Sequence, residues 1–179
     1  HTRIEALPHH WSRHSVEQAL IESGLCWTIL QCGSYMQNML PGWAKMVESG
    51  VHAMAYDVDA PMSLVDLDDI AKVAVRVCTE AGYEYGVFEL CGPAITLRQK
   101  AEILSRVLGK PIRAEKAPLD AALAHGRALG LSEFALDTMA RMFPYYDAHG
   151  LVGNAKTLGW ILGRKPTDFE GFARRIYGT

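Results

Sequence analysis

The stretch "SVEQALIESGLCWTILQCGSYMQNML", residues 15–40, predicts a helix, a strand and a loop in direct succession. Apolar residues recur at helical spacing between Ser15, which can cap the helix, and Gly24, which can end it in a left-handed conformation. The run "LCWTILQC" that follows is apolar and rich in β-branched and aromatic residues, as in a parallel strand covered on both faces. Glycines and Pro41 then break the pattern. We therefore expect a loop that leaves the carboxyl end of a buried strand.

Two further segments repeat this alternation of helix and strand. Residues 65–82, "VDLDDIAKVAVRVCTEAG", carry an apolar stripe at helical spacing, with Asp66 placed to cap the helix and Asp69 at its third position. Residues 85–92, "YGVFELCG", predict a second buried strand. In "ITLRQKAEILSRVLGK", residues 95–110, a threonine followed three positions later by a glutamine predicts a helix with a capping box.

The rest of the chain is predicted to be mostly helical. Residues 112–118 are interpreted as a short edge strand, residues 119–146 as helical with a break near Gly130, and the C-terminus as a helix capped by Thr167 or Asp168. The alternation predicts an α/β fold of one domain, residues 1–179. Because only two buried strands are predicted, we expect their outer edges to need neighbours.

Composition and charge exclude several classes of protein. A net charge of -2 without clusters of Lys and Arg argues against a nucleic-acid partner, and Arg174 and Arg175 are interpreted as complementing the end of a helix. No apolar run reaches the roughly 18 residues of a membrane span. The 4 cysteines form no CxxC motif and lie in apolar stretches, which favours buried free thiols and a cytoplasmic location.

Four segments resemble, in order, the second half of NmrA-like proteins, a branch of the atypical short-chain dehydrogenase/reductases. They are "HHWSRHSVEQALIESGLCWTILQCGSYMQNML" at 9–40, "PMSLVDLDDIAKVAVRVCTE" at 61–80, "FELCGPAITLRQKAEILSRVLGKPIR" at 88–113 and "LGRKPTDFEGFARR" at 162–175. The resemblance implies the C-terminal portion of a Rossmann-like parallel sheet with a helical substrate-binding lobe. It also implies NADP or NAD as cofactor.

The glycine fingerprint that cradles a dinucleotide in such folds is not found in this sequence. The glycines of "HGLVGNAKTLG", residues 149–159, follow no predicted strand and are rejected as a nucleotide-binding turn. We therefore expect a truncated form that lacks the N-terminal nucleotide-binding part, and that binds a cofactor only if this part is supplied or not at all. The exposed sheet edge would then be covered by a second copy, as in a homodimer, or by a partner chain.

The resemblance also suggests catalytic residues. His9 and Arg13 fall where many short-chain dehydrogenase/reductases have a tyrosine and a lysine. Arg13 can donate to a ribose hydroxyl but does not deprotonate, and His9 could act as an acid or base near neutral pH. The alternative is a polar cluster at the start of a helix. His10 and His14 share a helical spacing suited to zinc, but no third ligand is evident, so no metal site is expected.

The loop after the first strand supplies the remaining candidates. Ligands bind beyond the carboxyl ends of strands in open α/β sheets. The predicted cofactor-binding residues are Arg13, Gln31, Cys32 and Gly33, and the predicted substrate-binding residues are Ser34, Tyr35, Met36, Asn38, Trp43, Met62 and Phe143. The last three could equally be buried core. Gln31 and Cys32 replace the "RP" of the family's usual "LRP", which removes a cation and a rigid proline.

Three functional hypotheses follow. The first is an NAD(P)-dependent oxidoreductase acting on a small, largely apolar carbonyl or alkene compound. The second is a cofactor-independent isomerase, cyclase or ligand-binding protein derived from the same fold. The third is a non-catalytic regulator that senses NAD(P). All three hypotheses require a small-molecule ligand. The residues at positions 13, 31 and 32, which differ from those usual in the family, favour the second and third hypotheses.

Overall fold

A computed structural model describes residues 3–177 of the chain, and within that range helices and short strands alternate. The helices are α1 (Pro8–Glu22), α2 (Trp43–Ser49), α3 (Leu67–Thr79), α4 (Leu97–Leu108), α5 (Leu119–Ala128), α6 (Glu133–His149), α7 (Ala155–Leu162) and α8 (Phe169–Tyr177). The strands are β1 (Ile29–Cys32), β2 (Ser34–Tyr35), β3 (Val51–Met54), β4 (Met62–Val65), β5 (Val87–Leu90), β6 (Ala94–Ile95) and β7 (Arg113–Lys116). A 3-10 helix, Met36–Gly42, joins β2 to α2.

The two strands predicted to be central lie side by side. β1 and β5 are parallel, with Ile29 opposite Val87 and Cys32 opposite Leu90. β2 pairs in parallel with β4, which pairs antiparallel with β6, and β3 pairs in parallel with β7. The predicted α/β fold with a mainly parallel sheet is therefore confirmed.

The expectation of only two inner strands is wrong. β4 is buried at all four positions and lies between β2 and β6. β3 pairs in parallel with β7, the strand of residues 113–116. Both strands depend on partners that are distant in sequence, whereas their length of four residues is the same as that of β1 and β5. The first helix also begins earlier than predicted, at Pro8 rather than after Ser15, because proline suits the first helical turn.

The predicted caps of the central helices are confirmed. The Asp66 carboxylate accepts a hydrogen bond from the Asp68 N–H at the start of α3. Thr96 and Gln99 form the reciprocal capping box of α4. Gly109 takes a left-handed conformation with φ of 63° after that helix. These local signals define where α3 and α4 begin and where α4 ends.

Two groups of buried side chains form the core. The larger includes Leu7, Met36, Met62, Phe143 and Phe172 and lies among β3, β4, α4, α6 and α8. The smaller includes Val65, Val73, Leu90, Leu158 and Ile161 and lies among β4, β5, α3 and α7. The expectation of four buried thiols is wrong for Cys26 and Cys78, which are exposed. Between residues 3 and 177, no helix combines the length and apolar character needed to cross a bilayer.

Candidate functional site

The carboxyl ends of β1 and β5 meet at Gly33. The Gly33 N–H donates to the Leu90 carbonyl at 2.9 Å. A Cβ atom at position 33 would lie 3.0 Å from the Cys91 Cβ and 3.1 Å from the Ser63 carbonyl oxygen. Glycine therefore allows the chain to leave β1 and join β4 through the short strand β2. This crossing point is where an open parallel sheet binds ligands.

The predicted substrate-binding loop divides its side chains between the interior and solvent. Ser34 and Tyr35 form β2, and Tyr35 is 40% exposed. Met36 is 4% exposed and belongs to the core, whereas Asn38 on the 3-10 helix is exposed. Only Met36 among these four lines the cavity described next.

A cavity of about 390 Å³ lies between the sheet and helices α4 and α8. Its apolar lining comes from strands β4 and β6, from residues that follow β2 and β5, and from the two helices: Met36, Leu64, Gly92, Pro93, Ala94, Ile95, Ile103 and Phe169. Its polar lining is Gln99, Glu102, Arg106, Asp168 and Glu170, of which four carry a charge. A volume of a few hundred Å³ is typical of small-molecule sites, and the mixed lining suits a ligand that has both apolar and polar parts.

The predicted catalytic residues lie on the first two turns of α1. Arg13 is exposed, and His9 is half-buried. Burial, with the nearby charges of His10 and Arg13, lowers the pKa of His9 to about 4, so its ring is neutral at neutral pH. The prediction that His9 titrates near neutral pH is therefore wrong, although its place in the site remains a prediction. The neighbouring His10 ring lies with Nε2 3.4 Å from the Tyr146 hydroxyl of α6.

The predicted cofactor-binding residues of β1 are partly exposed. The Gln31 side chain donates to Glu17 of α1 at 2.9 Å, which joins strand and helix. Burial raises the pKa of the Cys32 thiol, so the thiol is protonated and uncharged at neutral pH. Contact of Gln31, Cys32 and Gly33 with a cofactor remains a prediction, and the sequence contains no GxGxxG turn to hold a pyrophosphate.

The three apolar candidates outside the loop pack against other parts of the protein. Trp43 stacks face to face on Tyr177. Met62 and Phe143 are 2% and 7% exposed and belong to the larger core cluster. Contact of these three residues with a substrate remains a prediction.

A second hollow, of about 680 Å³, runs along the outer side of α1 and β1. It is lined by Arg3, His14, Glu17, Gln18, Ile21, Ile29, Gln31 and Val87. Ile21 and Val87 are each 49% exposed, which leaves apolar surface on the face of the β1–β5 pair next to α1. Within the described part of the chain, no three His, Cys, Asp or Glu side chains gather closely enough to hold a metal ion.

Sequence reasoning missed the polar contacts that hold the loop. The Gln37 amide donates to the Asp66 carboxylate at 2.7 Å, and Arg175 of α8 donates to the same carboxylate at 2.9 Å. Asp69, expected only to favour the start of α3, instead binds Arg164 and the Thr167 N–H. These partners lie 29 to 109 residues apart in sequence. No local pattern could reveal such pairs.

Comparison with known proteins agrees with this arrangement. The model of the NmrA-like family matches residues 1–173. A (4-alkanoyl-5-oxo-2,5-dihydrofuran-3-yl)methyl phosphate reductase of Streptomyces griseus is 42% identical over 59% of this chain and 38% of its own length. Quinone oxidoreductase 2 of Escherichia coli is 33% identical over 90% of this chain and 56% of its own length.

The structural comparison leads to the same E. coli enzyme. Its structure with NADPH superposes with a TM-score of 0.85 at 28% identity, covering 99% of this chain and 62% of that one. The chain thus spans less than two thirds of the relatives it matches.

Proposed function

The chain belongs to the NmrA-like family, and from this premise we propose that it forms the substrate-binding half of an NAD(P)H-dependent oxidoreductase. The observation that carries the proposal is the cavity beyond β2 and β5, at the side of the sheet where ligands bind in such folds. Its apolar wall suits the apolar part of a small carbonyl or alkene compound, and its amide and charged side chains suit the polar atoms of that compound.

The names of two relatives support a conjugated carbonyl acceptor, and the first of them also names a charged phosphate ester. One relative is named as the reductase of a dihydrofuranone methyl phosphate, whose ring carbon–carbon double bond lies beside carbonyl groups, and the other as a quinone oxidoreductase. Both compounds contain a double bond conjugated to a carbonyl. When bound, the nicotinamide cofactor supplies a hydride to such an acceptor, and a proton must also be added. His9 is a poor source of that proton, because its pKa of about 4 leaves the ring neutral.

We assign the nicotinamide end of the cofactor to the carboxyl end of β1. Gln31, Cys32 and Gly33 follow one another there, and Arg13 on α1 offers an exposed guanidinium to a ribose hydroxyl. Ser34 and Tyr35 then lie between this position and Met36 of the cavity wall, and Asn38 follows Met36 on the 3-10 helix. The order from Gly33 to Met36 supports a substrate that bridges the β1 end and the cavity.

The hollow along α1 and β1 is where we expect the nucleotide-binding unit or a partner to pack. Exposed apolar side chains on this face favour the packing of another segment against it. A preceding segment, a second copy of the chain or another protein would each cover this surface. Light scattering at micromolar concentration tests the second copy, and a monomer that remains soluble would exclude it for the chain alone.

The experiment that tests the function compares two proteins. One is the chain itself, and the other is a fusion in which the N-terminal segment of the E. coli quinone oxidoreductase precedes it. NADPH binding is followed by nucleotide fluorescence, and turnover by NADPH oxidation with quinones and enones. We expect saturable binding and turnover for the fusion. Binding without turnover of any acceptor would instead favour an NAD(P)-sensing regulator.

The second candidate function is a cofactor-independent isomerase, cyclase or ligand-binding protein. It is favoured by the neutral His9 and by Arg13, since this pair lacks both the acidic phenol and the lysine of related reductases. Failure of both proteins to bind millimolar NADPH, together with binding of an enone to the chain, would support this alternative over the reductase.

A further inference from the structure

Gln37 uses both ends of its side-chain amide to hold the loop that follows β2. Its Nε2 donates to Asp66 Oδ1 at 2.7 Å, and its Oε1 accepts from the Leu67 N–H at 3.3 Å. The residue lies directly after Met36, which forms part of the cavity wall. Any movement of Gln37 away from the start of α3 would therefore move that wall.

Asp66 is the point where three elements meet. Its side chain has no exposed surface, and it caps α3 through the Asp68 N–H at 3.2 Å. It also forms an ion pair with Arg175 of α8, whose Nη1 lies 2.7 Å from Oδ2. Burial alone would raise the pKa of Asp66, but the bonds from Arg175 and Gln37 outweigh it and hold the pKa below its ordinary value. The carboxylate is therefore charged at neutral pH.

The same helix that carries Arg175 also carries the opposite wall of the cavity. Phe169 and Glu170 in the first turn of α8 line it, and Arg175 lies less than two turns further along. A carboxylate that binds both Gln37 and Arg175 thus joins the Met36 wall to the Phe169 wall. Hydrogen bonds to a buried charge are among the stronger contacts in proteins, so this junction is stiff.

We propose that Gln37 and Asp66 are positioning residues that fix the distance between the two walls of the cavity, and through it the affinity for substrate. The identity of the ligand rests on the proposed function. The contacts that connect the two walls through Asp66 do not depend on it. Neither residue needs to touch the substrate. Removing the Gln37 amide leaves the cap of α3 and the Asp66–Arg175 ion pair in place.

The test uses Gln37→Met, which keeps the side-chain length and removes both hydrogen bonds. Two quantities are measured on the chain: amide hydrogen exchange over residues 36–42, and the affinity for 2-methyl-1,4-naphthoquinone by quenching of tryptophan fluorescence. We expect exchange to accelerate about tenfold in 36–42 while that of α7 (Ala155–Leu162) is unchanged. We also expect the quinone affinity to fall about tenfold.

A second variant provides an independent check. Gln37→Glu keeps an oxygen for the Leu67 N–H but places a second carboxylate against Asp66 and removes the donor to Asp66 Oδ1. We expect faster exchange over residues 36–42 and weaker quinone binding than in the unsubstituted chain, with the exchange of α7 unchanged, as a positioning contact requires and a general loss of stability does not.

The outcomes separate the inference from the proposed function. If exchange over 36–42 is the same in Gln37→Met as in the unsubstituted chain, the positioning role is overturned. If exchange accelerates but quinone affinity does not change, the connection to the cavity is overturned. If the unsubstituted chain binds no quinone, the substrate class proposed above is wrong, and the exchange measurements alone decide the positioning role.

Discussion

Replacing Lys100 by methionine should stabilise the protein. Lys100 lies in the first turn of α4, is 6% exposed, and faces Tyr56 and His52, both of which are also buried. Its Nζ lies 3.4 Å from the Tyr56 hydroxyl, and within residues 3–177 no carboxylate pairs with it. A buried ammonium without a counter-charge is costly, and the positive end of the α4 dipole adds to that cost. Methionine keeps the length of the chain and removes the charge.

The magnitude follows from the pKa of the lysine. Burial lowers the pKa of Lys100 from 10.5 to about 8. At about 1.4 kcal/mol for each tenfold change, holding the charged form in the folded state costs about 3 kcal/mol. Loss of the long contact to the Tyr56 hydroxyl offsets about 1 kcal/mol of the gain. We therefore expect Lys100→Met to raise the free energy of unfolding by about 2 kcal/mol at pH 7.

The pH dependence of the stability gain in Lys100→Met distinguishes removal of the buried charge from improved packing of the methionine. Because the folded pKa is below the unfolded one, the cost is complete below pH 8 and disappears as pH rises from about 8 to 10.5. Urea unfolding of the unsubstituted chain and of Lys100→Met at pH 7 and pH 10.5 measures this cost. Lys72→Met, on the exposed side of α3, is the control. A gain of equal size at both pH values, or a loss of stability at pH 7, would refute the reasoning.

Two other predictions concern stability. Burial, and secondarily the charge of Lys100, lowers the pKa of His52 from 6.5 to about 3. Between these two pH values, His52 is protonated in the unfolded chain and neutral in the folded chain. The free energy of unfolding should therefore fall as pH decreases from 6.5 towards 3, and the slope in acid urea titrations should be smaller in His52→Met. A Cβ at Gly92 would lie 2.7 Å from the Leu64 carbonyl oxygen, whereas one at Gly42 would meet nothing within 4 Å. Gly92→Ala should lower the free energy of unfolding by about 1–3 kcal/mol and Gly42→Ala by far less; equal losses in urea unfolding would contradict the steric argument.

Helices α3 and α4 could be predicted because the residues that cap them lie next to them in sequence. Asp66 and Thr96 precede the apolar stripes of α3 and α4, and Gly109 follows α4 in a left-handed conformation. β3 and β4 were not predicted, and their length is not the reason, since β1 and β5 are equally short. Their assignment depends on partners supplied by β7, β2 and β6, which are distant in sequence.

The candidate site was predictable only in its position. The carboxyl end of β1 and the loop beyond it are where the sequence places ligand contacts, and the cavity lies beside that loop. The side chains that organise the loop were missed, since Gln37 and Arg175 act through partners far along the chain. Arg175 illustrates the difficulty: the sequence suggests that it complements its own helix, whereas the structure pairs it with Asp66.

The segments that carry the family resemblance are also partners in space. Asp66 and Asp69, one helical turn apart in "VDLDDIA", are both almost fully buried and bind the C-terminal segment "LGRKPTDFEGFARR" through Arg164, Thr167 and Arg175. Unpaired buried carboxylates would strongly destabilise the fold, so each segment requires the other. The position of α8, and with it one wall of the cavity, therefore depends on two aspartates whose sequence pattern suggests only the start of a helix. Substitution of either aspartate should therefore alter the shape of the cavity through the position of α8, since neither aspartate lines the cavity itself.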